Sequence, residues 1–71
     1  MKYFCVSPIN ITNGNLSPAT HVVNVAEADL DQMHSALASN GLEDTISHTY
    51  WEISQAQYDA EVGGGATVIS V

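Results

Sequence analysis

The sequence predicts an α+β domain built as a two-layer sandwich, a four-stranded mixed sheet with two helices on one face, in the order β-β-α-β-α-β. Three observations carry that expectation. Short runs dense in β-branched and aromatic residues recur along the chain, one segment repeats its apolar residues with helical period, and Gly, Asn, Ser and Pro fall between them as stops. At 71 residues the chain makes a single domain, 1–71. A domain of this size buries only about 60% of its extended surface, so the core must be small and shared by few elements.

Lys2–Val6 (KYFCV) reads as the first strand, with Tyr3 and Cys5 on one side, Phe4 and Val6 on the other, and Ser7-Pro8 as its stop. Both sides are apolar, which makes it an inner strand. Ile9 to Ala19 is rich in turn formers, Asn13-Gly14 among them, and reads as a hairpin-like loop. His21–Val25 (HVVNV) is the second strand. A helix is predicted over Glu27–Gly41, where Leu30, Met33 and Leu37, with His34 and Ala38 beside them, form one apolar stripe. Asn40-Gly41 ends it, with glycine in the left-handed position and Leu42 folding back onto the last turn.

Thr45–Ile53 reads as the third strand, with Ile46, His48 and Tyr50 on one face and Thr49, Trp51 and Ile53 on the other. Ser54, three residues before Gln57, caps a short helix over 55–62. Gly63-Gly64-Gly65 stops that helix as a flexible connection, and Ala66–Val71 is the final strand. With both helices on one face, the other face of the sheet is left to solvent or to a partner.

Charge is the strongest compositional signal. Eight acids (Glu27, Asp29, Asp31, Glu43, Asp44, Glu52, Asp59 and Glu61) face one basic residue, Lys2, for a net charge of −7. Direct nucleic-acid binding is excluded as an expectation, because that affinity comes from Lys and Arg neutralising phosphates. A basic protein surface is the natural partner. Cys5 stands alone, so no intrachain disulfide can form, and its apolar neighbours read it as a buried small hydrophobe. No signal-peptide pattern and no apolar run long enough for a membrane span are present, which points to the cytoplasm, or a host's cytoplasm.

No residue spacing points to catalysis or to a cofactor. His21, His34 and His48 lack the close spacing that puts two metal ligands on one frame. No nucleophile motif surrounds Cys5, and the glycine run lacks the Lys and Ser/Thr of a phosphate loop. What remains is surface. Glu27, Asp29 and Asp31 sit where a helix dipole stabilises carboxylates by about 0.3–1 kcal/mol each, and with Glu43 and Asp44 they form a candidate acidic patch. Tyr50, Trp51 and Tyr58 are the candidate aromatic anchors.

The expected function is a non-enzymatic protein-interaction module. Its size, acidity and lack of catalytic motif are of the type of small accessory or inhibitor proteins carried by phages. The alternative is a small structural or assembly subunit that forms homo-oligomers through a sheet edge, most easily the terminal strand.

Overall fold

The computed structural model describes residues 1–9, 18–42 and 48–71. Within them lie four strands, β1 (Lys2–Pro8), β2 (His21–Val25), β3 (His48–Ile53) and β4 (Thr67–Ser70), and two α-helices, α1 (Met33–Ser39) and α2 (Gln55–Gly63). A 3₁₀ segment, Glu27–Gln32, leads into α1. One open sheet runs in the order β3-β1-β2-β4, with β1 antiparallel to both of its neighbours and β2 parallel to β4. The α+β class and the four-stranded mixed sheet are those predicted. Most of the expected hairpin-like loop (residues 10–17) and the start of the expected third strand (residues 45–47) lie outside the described residues.

The layering departs from the expected two-layer sandwich. Successive side chains of a strand point to opposite faces, so the adjacent pairs Cys5/Val6 and Val22/Val23 must serve two different cores. Val6, Val23, Val25 and Ile69 pack with Met33, Leu37 and Leu42, under α1. Cys5, Val22 and Ile53 pack with Tyr3 and with Tyr58 of α2. The helices therefore cover opposite faces and the molecule has three layers. The cause is the two-sided apolar pattern of β1 and β2: placing both helices on one face would leave Cys5, Val22 and Ile53 in water, whereas dividing them buries both sets.

Two further expectations are corrected. Strand β1 runs on through Ser7 and Pro8, because these residues pair with Thr49 and His48 of β3. Pro8 is accommodated at the strand's end, beyond the register with β2, where fewer hydrogen bonds are asked of it. The helix expected from Glu27 opens instead as the 3₁₀ segment. Ala26 at its N-terminus makes no side-chain cap, and the first turn closes through the backbone, Asp29 N–H donating to the Ala26 carbonyl at 2.8 Å. Since residues i and i+3 eclipse in a 3₁₀ helix, Leu30 stays in line with Met33, and the apolar stripe continues unbroken into Leu37.

Both α-helices end in the same motif. After α1, the Gly41 N–H donates to the Ala38 carbonyl and the Leu42 N–H to the Leu37 carbonyl, with Gly41 at φ +70°. After α2, Gly65 donates to Val62 and Ala66 to Glu61, with Gly65 at φ +98°. These are paired Schellman bonds, and the left-handed residue in each is the glycine. The glycine run after α2 is thus a built helix ending, and only its third member needs to be glycine for conformational reasons. At the other end of α2, Ser54 Oγ accepts from the Gln57 N–H at 3.1 Å, the cap predicted from spacing.

Candidate interaction surface

The acids of the 3₁₀ segment are placed by its geometry. With about 120° between successive residues, Glu27, Asp29 and Asp31 fan around three sides of the segment. An α-helix would have stacked Glu27 and Asp31 one turn apart. Glu27 and Asp31 are exposed and Asp29 is half-buried. Glu43 and Asp44 lie outside the described residues. The one basic side chain of the chain is committed elsewhere: Lys2 Nζ lies 3.4 Å from Glu52 Oε2, on the β1–β3 side of the sheet. No lysine or arginine remains to offset the 3₁₀ carboxylates.

The three aromatics are not brought together. Tyr50 lies on the α1 face, edge-on to Phe4 (6.3 Å between ring centroids) and to His34 of α1 (6.4 Å). Trp51, one residue on, points to the opposite face and is 39% exposed. The Tyr58 ring packs tilted against Tyr3, with centroids 4.7 Å apart and planes at 47°, and its hydroxyl accepts a hydrogen bond from Asn24 Nδ2 at 3.0 Å. The same Asn24 amide donates to Ser70 Oγ at 3.1 Å, so Asn24 ties α2 to β2 and β4. Tyr50 and Tyr58 spend their rings on packing inside the fold, and Trp51 alone of the three presents a broad apolar surface. The described part of the expected patch is therefore divided, with the 3₁₀ acids and Tyr50 on the α1 side and Trp51 and Tyr58 on the α2 side.

The titratable groups follow from the same layout. His21 pairs with Val6 and His48 with Pro8, positions of one face, and His34 meets Tyr50 on that face, so all three histidines belong to the α1 side. Burial, and then the neighbouring His48, lowers the His21 pKa below the ordinary 6.5, and its Nδ1 lies 2.8 Å from Thr20 Oγ1. Cys5 is fully buried. Burial, and then the Glu61 carboxylate, raises its thiol pKa, which makes it a poor nucleophile.

Among the described residues there is no pocket and no group of three or more metal-ligating side chains. None of their helices is long and apolar enough to cross a membrane.

Sequence reasoning missed two features that bear on contacts. One is the bridging role of Asn24, whose only signal is a polar residue interrupting a run of valines. The other is the outward exposure of Val68 (44%) on β4 and Val62 on α2. Period-2 alternation along 66–71 does not say whether a neighbouring strand or helix covers Val68. Compared with known proteins, the chain matches no family model, no curated protein and no solved structure.

Proposed function

We propose that the chain is a non-enzymatic interaction module that engages a basic protein surface, such as the nucleic-acid-binding site of another protein, in the manner of a phage-type accessory or inhibitor protein. The observation that supports this reading is the uncompensated set of carboxylates on the 3₁₀ segment, in a chain whose single lysine is paired with Glu52 of β3. Carboxylates held on a short ordered segment present negative charge much as phosphates do. They steer a basic partner through long-range attraction, which raises the association rate more than it slows dissociation. Trp51 is exposed on the opposite face of the sheet, so the contact with this partner rests on the carboxylates and Trp51 is not its anchor.

The test is capture of host proteins by the immobilised chain and by its triple variant Glu27→Lys, Asp29→Lys, Asp31→Lys. The wild type is expected to retain a basic protein that is lost on the triple variant and weakened by added salt. Retention of the same protein by both forms sinks the proposal.

A further inference from the structure

The two edges of the sheet differ in a way that bears on self-association. Edge strands present unpaired backbone groups, and natural sheets guard them with charges, proline or covering elements. On β3 the guard is present, since Glu52 puts a charge on that strand, paired with Lys2. On β4 neither charge nor proline guards the edge. Residues 66–71 (ATVISV) hold no charged side chain and no proline in a chain of net charge −7, and Val68, in the middle of the strand, is among the most exposed large hydrophobics.

The backbone polarity of β4 can be read from its bonds to β2. The Thr67 N–H donates to the Thr20 carbonyl and the Val71 N–H to the Asn24 carbonyl. In a parallel pair the residues bonded to the partner alternate with those pointing away, so Thr67, Ile69 and Val71 turn toward β2. The N–H and C=O groups of Val68 and Ser70 turn outward, and among the described residues no strand lies beyond them. The Ala66 N–H is already taken by the Glu61 carbonyl in the cap of α2. The free ladder is therefore limited to the outward groups of Val68 and Ser70.

We propose that this edge pairs with the same edge of a second copy, antiparallel, about a two-fold axis at Ile69. In that register Val68 of each copy opposes Ser70 of the other as a hydrogen-bonded pair, and all the outward N–H and C=O groups of both copies satisfy one another. The Ile69 residues meet as the non-hydrogen-bonded pair between them. A two-fold contact must be self-complementary, and this pattern is. The occupant is a second copy rather than a basic partner, because residues 66–71 carry no acidic side chain to attract one, and two like-charged copies can approach most closely where neither presents a charged side chain. The product is one continuous eight-stranded sheet, closed at two copies. The ladder is short, so the dimer is weak and depends on concentration.

Sedimentation equilibrium from micromolar to millimolar protein tests it. The apparent mass of the wild type is expected to rise from 7.6 kDa toward twice that value, more readily at high salt, where repulsion between the copies is screened. Val68→Pro removes an outward donor without touching the bonds to β2, and is expected to stay monomeric while keeping its far-ultraviolet circular dichroism. If that variant fails to fold, Val68→Glu takes its place, adding like charge to both edges while leaving every backbone group intact, and it too is expected to stay monomeric. A wild type that is monomeric at the highest concentration overturns the proposal and leaves the edge to a strand of another protein. Dimers that persist in the folded variants, or masses that climb beyond two copies, overturn it as well.

Discussion

The two helices end alike but hold the sheet by different means. Helix α1 buries Met33 and Leu37 in a core of valines and Ile69. Helix α2 buries no side chain fully; it is held by Tyr58, whose ring lies on Tyr3 and whose hydroxyl joins the Asn24–Ser70 bridge. One face rests on apolar burial, which is non-directional and proportional to the area removed from water. The other rests on a few directional contacts made by one residue. Most of the stability of the domain should therefore reside on the α1 face.

The largest expected effect tests that division directly. Leu37→Ala should destabilise the fold by about 3 kcal/mol, within the range for a buried leucine, whereas Tyr58→Phe, which keeps the ring and removes only the hydroxyl, should cost about 1 kcal/mol. Urea denaturation of both variants measures the contrast, and equal losses would break it.

A smaller effect sharpens the account of α2. Gly65→Ala forces a side chain into a left-handed conformation and should cost about 1 kcal/mol. Gly63→Ala should add about 0.5–1 kcal/mol, because Gly63 is helical and a methyl group there meets nothing within 4 Å. Opposite signs two residues apart, read from thermal melts, distinguish a built cap from a loose connection.

The smallest expected effect belongs to the α1 face alone, where the three histidines lie. Because the His21 pKa is lowered in the folded state, the unfolded chain binds more protons at mildly acidic pH. The stability contributed by neutral His21 is fully present above its ordinary pKa of 6.5 and is lost as the pH falls from there through the lower folded value. The melting temperature should thus drop on acidification, and His21→Gln should flatten that drop. An unchanged slope in the variant would assign the acid response to other groups.

How much of this was legible in the sequence depended on how local the cause was. The stripe of Leu30, Met33 and Leu37, the Gly41–Leu42 ending and the Ser54 cap are set by contacts within one or two turns and stand in the structure, although His34 and Ala38, expected beside that stripe, are exposed and Ala36 packs on the core instead. The 3₁₀ opening was also local, yet it was missed, because acids in the first turn outweighed the absence of a capping side chain at Ala26. In the candidate site, the exposure of Glu27 and Asp31 was legible from their charge. Their fanning was not, since it depends on the helix type, and neither was the dispersal of Tyr50, Trp51 and Tyr58, which depends on which face each helix covers.

The sequence by itself determined which residues are apolar on both sides of β1 and β2, where the helices stop, and that one lysine stands against eight acids. Only the tertiary structure decided that α1 and α2 divide the two faces, that Lys2 is spent on Glu52, and that β4 lies at an edge of the sheet. The physical reason is that caps and stripes are settled by bonds within a few residues, while faces, ion pairs and edges are settled by strand pairing. In strand pairing, β3 and β4 take their places beside β1 and β2 across long separations in the chain, which no local pattern encodes.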